Sequence, residues 1–91
     1  MRTINKFILL FSLLSAYAFA KDSLSKQLEN ANQLFNEGKY YESVTEFKRL
    51  QFFDKENIYQ FETNYKIGIA YKKGGFYENA LEYLSKARIA T

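Results

Sequence analysis

Two pairs of carboxylates stand at helical spacing in this chain: Glu42 with Glu46, and Glu78 with Glu82. Paired acids can serve as general acid and general base when a pocket or a charged neighbour drives their proton affinities apart. The sequence supplies neither pair with such a partner. It contains no histidine and no cysteine, which removes the commonest nucleophile–base combinations and most zinc and iron ligands together. The glycines of "KKGGF", Lys72 to Phe76, close a helical run and are followed by no Lys-Ser/Thr, so they lack the spacing of a phosphate-cradling loop. Glu42 and Glu78 fit better as anions near helix N-termini. Glu62 with Lys66, and Glu82 with Lys86, have the favourable order for ion pairs one helical turn apart. The residues therefore point away from an enzyme, and no metal, cofactor or small-molecule substrate is expected.

The elements behind these side chains are helices. Leu24, Leu28, Ala31 and Phe35 recur at spacings of four, three and four, the period of one helix face. Gly38 interrupts the pattern where a helix C-terminus favours glycine. Tyr40, Val44, Phe47 and Leu50 mark a second face, and Asp54 or Asn57 can cap the next helix. Ile58, Phe61, Tyr65, Gly68 and Tyr71 mark a third face, which Gly74 and Gly75 end. Tyr77, Ala80, Leu81, Leu84 and Ala87 mark a fourth. The expected class is all-α, with helices over about 22–36, 40–53, 57–73 and 77–90. Two-residue to three-residue connections make antiparallel helical hairpins, here about 22–53 and 57–90.

The N-terminal stretch "MRTINKFILLFSLLSAYAFA" is of another kind. Arg2 and Lys6 precede an apolar run from Phe7 to Leu14, and Ala18 and Ala20 give the small-x-small pattern of a signal-peptidase site. Residues 1–20 read as a secretory signal peptide helix cleaved after Ala20, and 21–91 as the mature part. An uncleaved anchor or a buried helix is the alternative, although the span from Phe7 to Ala20 is short for a bilayer. The 13 basic residues less Arg2 and Lys6 leave 11 against 10 acidic ones. A mature charge of +1 provides no basic stripe for nucleic acid and no cationic face for a membrane-active peptide.

The mature part repeats. Shifted by 37 residues, "GKYYESVTEFKRL" falls on "GFYENALEYLSKA". Gly38 meets Gly75, Tyr40 meets Tyr77, Ser43 meets Ala80, Val44 meets Leu81 and Phe47 meets Leu84. Upstream, Ala31 meets Gly68 and Leu34 meets Tyr71. Small residues stay opposite small ones, and bulky opposite bulky. Small residues at a helix crossing let two backbones approach while larger neighbours fill the grooves beside it. Gly68 against Ala80 is the crossing expected in the second hairpin, and Ala87 awaits a further helix.

This pattern resembles the tetratricopeptide repeat family. Ile67–Gly68, Tyr71, Gly75, Tyr77, Ala80, Leu84 and Ala87 fall at the spacings of its signature, with a weaker copy in Ala31, Leu34, Gly38, Tyr40, Ser43, Phe47 and Leu50. Gln27 and Asn64 replace the family's aromatic near the start of each first helix, and Lys55 replaces its usual proline. The repeat of 37 also exceeds the family's length of about 34. Sel1-like repeats are the second resemblance, though their inter-helix loop is usually longer than "KKGGFY". The resemblance implies a short α-solenoid whose first helices line a concave groove for an extended peptide or a partner helix. Carried over by position, that groove comprises Leu28, Asn32, Phe35, Asn36, Glu62, Tyr65, Ile69, Lys72 and Lys73. The family's carboxylate clamp is not matched, because Leu28 and Ile69 occupy two of its positions.

The expectation is a protein-binding scaffold of the bacterial periplasm or cell envelope. A tethered accessory subunit of the inner membrane, or the N-terminal part of a longer repeat array, is the alternative. Repeat arrays usually need three or more units, so self-association through the uncapped C-terminal helix is also expected.

Overall fold

A computed structural model of the chain describes the backbone of residues 23–90 and the side chains of 23–88. Residues 1–20, read from the sequence as a signal peptide with Ala18 and Ala20 at its cleavage site, lie outside the described residues. Within them the fold is all-helical: α1 over 23–36, α2 Tyr40–Phe53, α3 Gln60–Lys73 and α4 Tyr77–Ala90, with no strand.

Both short connections are built the same way. Lys39 N–H reaches Leu34 C=O at 2.9 Å and Gly38 N–H reaches Phe35 C=O at 3.0 Å. At an offset of 37 residues, Phe76 N–H reaches Tyr71 C=O at 2.8 Å and Gly75 N–H reaches Lys72 C=O at 3.1 Å. These are paired Schellman closures, which require the residue after the cap to be left-handed. Gly38 and Gly75 hold φ of 78° and 86°, where any other residue would be strained. In the second turn Phe76 also packs edge-on against Tyr71, at 6.1 Å between ring centres, the apolar contact that commonly accompanies this closure.

The connection from α2 to α3 differs from expectation. The third helix begins at Gln60 rather than near 57. Asn57 sits at φ 56°, outside helical backbone. Asp54, almost fully buried, accepts N–H bonds from Ile58 at 2.9 Å and Tyr59 at 2.8 Å. Its carboxylate organises the turn before the helix, and α3 itself starts without a side-chain cap.

Side-chain contacts fix the helix directions. Gln51, late in α2, bonds Thr63 and Asn64, early in α3. Lys48, further back in α2, bonds Tyr71, late in α3. The two helices are therefore antiparallel. The core joins Ala31 of α1, Val44 and Phe47 of α2, and Ile67 and Ala70 of α3, with Leu28, Phe35, Tyr40, Tyr71 and Tyr83 packed around it. It is thus an interface between successive helix pairs. Asn64, where the resembled family carries an aromatic, is buried and accepts the Gln51 amide N–H at 2.6 Å.

The small residues behave as spacers, with one correction. A Cβ on Gly68 would stand 2.7 Å from Leu84 Cγ and Cδ2 and 3.1 Å from its backbone nitrogen. The closest approach is therefore to Leu84, one turn beyond the expected Ala80. Ala80 and Ala87 are buried on the same side of α4. Substituting Gly68→Ala would gain about 1 kcal/mol in helix propensity and lose about 1–3 kcal/mol through overpacking. A net loss in a urea melt is expected, and adding Leu84→Ala to the same chain should recover part of it.

Candidate functional site

The residues expected to line a groove divide between two environments. Leu28 and Phe35 are half-buried and pack against the core, so they lie in the seam between α1 and the later helices. Asn36, Tyr65, Lys72 and Lys73 are exposed, and Glu62 and Ile69 are half-buried. Tyr65 stacks on Phe61, with ring centres 6.2 Å apart and planes 12° apart. Lys72 and Lys73 occupy the last turn of α3, where cations complement the helix dipole.

Asn32 is drawn into a link that helix periodicity does not indicate. Lys66, expected to pair with Glu62, reaches from α3 to α1 and donates to Asn32 Oδ1 at 2.7 Å. The same ammonium lies 5.6 Å from the centre of the Phe35 ring. Asn32, Phe35 and Lys66 thus meet between the two first helices. An ammonium carries three donors, and the bond to Asn32 uses one. At the far end of the seam the Lys73 ammonium stands 5.7 Å from the Tyr40 ring centre, a second basic contact between the helix pairs. Lys66 is not among the groove positions because family spacing does not include it. A polar contact across 34 residues leaves no trace in the apolar pattern of either helix.

A third lysine ties the other side together. Lys48 Nζ donates to the Tyr71 hydroxyl at 2.7 Å and stands 5.4 Å from the Tyr83 ring centre. One ammonium on α2 therefore touches both α3 and α4. Its 5.2 Å distance to the Tyr71 ring centre agrees with an approach from the hydroxyl end rather than over the ring face. The Tyr71 hydrogen bond, aided by the charge of Tyr83, outweighs partial burial and raises the Lys48 pKa above its ordinary 10.5.

A polar cleft of about 300 Å³ lies between the α2–α3 connection and α4, lined by Gln51, Asp54, Asn57, Gln60, Asn64 and Lys86. Its buried polar groups are already used by the fold: Asp54 holds two backbone amides, and Gln51 donates to Thr63 and Asn64. Lys86 pairs with Glu82 at 3.3 Å, as its spacing implies. Among the described residues no group of three or more His, Cys, Asp or Glu side chains could hold a metal ion.

Comparison with protein-family models, curated proteins and solved structures gives no match for the chain.

Because the Lys48 pKa is raised on folding, its contribution to stability is complete below pH 10.5 and fades as the pH climbs through the folded-state value. Lys48→Met should lower unfolding free energy at pH 7 by no more than about 1 kcal/mol, given the exposure of this side chain. The difference from wild type should narrow above pH 10.5, as urea melts across that range would show.

Proposed function

We propose that the chain is an exported, tetratricopeptide-like interaction scaffold, two helical hairpins stacked as a short α-solenoid, with no enzymatic role. The first helices, α1 and α3, hold an extended peptide or a partner helix along their shared side. The observation that carries this reading is the seam where Lys66 joins Asn32 over Phe35. It sets two first helices side by side, with amide, apolar and basic groups presented along one surface. Asn32, Asn36 and Ile69 supply its middle, Glu62 an acid, and Lys72 and Lys73 a basic end. Such a surface suits a peptide with aliphatic anchors and an acidic group near the lysines.

The place of action is inferred from residues 1–20, whose basic start, apolar run and Ala18-x-Ala20 ending fit export to the periplasm or envelope. Among the described residues no helix is long and apolar enough to cross a membrane, so a tethered form would depend on an uncleaved N-terminal segment. Intact-mass spectrometry of protein recovered from the producing cell separates the two: loss of the first 20 residues supports export with cleavage, and retention supports the tethered form.

The groove reading is tested with displayed peptide libraries. Wild-type protein should select peptides that share an aliphatic and acidic pattern. Ile69→Glu with Lys73→Glu should weaken the selected peptides by about tenfold or more while leaving helical circular dichroism unchanged. Selection of the same peptides with equal affinity by the variant would defeat the reading.

A further inference from the structure

Four large apolar side chains within residues 52–61 stand in water. Phe52 is 68% exposed, Phe53 55%, Ile58 47% and Phe61 48%. Phe52 and Phe53 are the last two residues of α2, Ile58 belongs to the connection, and Phe61 is the second residue of α3. They therefore sit around one end of the helix stack. The Phe52 and Phe53 rings meet edge to face, with centres 5.1 Å apart, and the Lys55 ammonium stands 4.6 Å from the Phe52 ring centre. Clustered apolar side chains of this size mark a contact surface.

What meets this end is indicated by where the chain enters it. The helices α1 and α2 are of equal length and fold back on each other at the Gly38 turn, where the Phe35 and Tyr40 rings touch at 5.7 Å between centres. The start of α1 is therefore level with the end of α2. Only Lys21 and Asp22 separate that start, at Ser23, from the apolar run that ends at Ala20. The three steps from Ala20 to Ser23 span at most about 11 Å, so wherever that run is held, the phenylalanine end is held nearby. The flank of α1 is unsuited to the same surroundings. Lys26, Asn30 and Gln33 are exposed along it, and laying them on hydrocarbon would strip water from three polar groups. The exposed Tyr77 and Leu81 lie at the start and middle of α4. They belong to the other end and side of the stack, to which no apolar segment is joined.

We propose that, while residues 1–20 are attached and held in a lipid bilayer, the end formed by residues 52–61 rests in the bilayer interface, with Phe52, Phe53, Ile58 and Phe61 entering beneath the headgroups. The run from Phe7 to Ala20 is shorter than the about 20 apolar residues that span a bilayer. A short span is accommodated by local thinning, which draws the flanking chain toward the lipid, and the phenylalanines beside it enlarge the apolar area that is buried. Lys55 is matched by its neighbour Glu56, so the contact draws on the acyl region rather than on anionic headgroups. The stack then stands upright on the surface. The 14 residues of α3, at about 1.5 Å each, carry Lys72 and Lys73 roughly 20 Å away from the lipid. This contact is independent of the peptide groove, whose basic end it leaves in water.

The chain has no tryptophan, so a single one introduced by substitution reports its own surroundings. The test uses the full 91-residue chain reconstituted into phosphatidylcholine vesicles with brominated acyl chains, with attachment checked by flotation. In the Phe53→Trp chain the indole emission should shift to the blue and be quenched by bromine. In the Tyr77→Trp chain, at the opposite end, it should do neither. Adding Phe52→Asp and Phe61→Asp to the Phe53→Trp chain should abolish both changes. Flotation and helical circular dichroism should stay as they were, because the replaced side chains are largely exposed and residues 1–20 are untouched. A chain that fails to float overturns the proposal, as does a floating chain quenched at neither position or equally at both. A blue shift in the Phe53→Trp chain without lipid overturns it too: one that grows with protein concentration assigns this end to a second copy, and one independent of concentration assigns it to residues 1–20 of the same chain.

Discussion

The close approach of α3 to α4 at Gly68 is the constraint on which the rest of the structure depends. A hydrogen in place of a side chain lets Leu84 settle against the α3 backbone. With α4 held there, Tyr83 reaches Tyr71, their ring centres 5.8 Å apart, and both come within range of Lys48 on α2. The same placement brings Lys86 to the rim of the polar cleft beside Asn64. Glycine inside a helix is unfavourable on its own terms. Its presence at this point is explained by what the neighbouring helix does with the space.

The fold contains two kinds of joint. The turns at Gly38 and Gly75 are closed by backbone hydrogen bonds, so they ask only for a left-handed residue. The joint between the hairpins relies on side chains. Asp54 gathers two amides, Gln51 bridges Thr63 and Asn64, and Lys66 crosses to Asn32. Hydrophobic burial then unites the helices through Ala31, Phe47 and Ile67. Polar bonds of this sort contribute modestly when made and cost more when broken in a buried place. They select one register among the several that apolar contact alone would permit.

Much of the helical layout was legible in the sequence. The apolar spacing placed α2 and α4, and the turn glycines marked both tight connections within a residue. The start of α3 was not legible, because Asn57 in left-handed backbone and the amides gathered by Asp54 are products of tertiary packing. The spacer role of Gly68 was readable, whereas its partner was displaced from Ala80 to Leu84 because a helix crossing is set by how ridges interlock along the whole contact. At the candidate site, periodicity distinguished the helix faces. It could not show that Leu28 and Phe35 turn into the seam, or that Lys66 prefers Asn32. Those outcomes depend on distances between helices far apart along the chain.

The contrast between the polar face of α1 and the apolar face of α4 also gives the architecture a direction of growth. A duplicated hairpin inserted after α4 would find Tyr77, Leu81 and Leu84 ready to receive it, as Tyr40, Val44 and Phe47 receive α3. One inserted before α1 would meet Lys26, Asn30 and Gln33, and would need those three replaced first. Tandem expansion of a gene encoding this unit is therefore easy on one side and obstructed on the other.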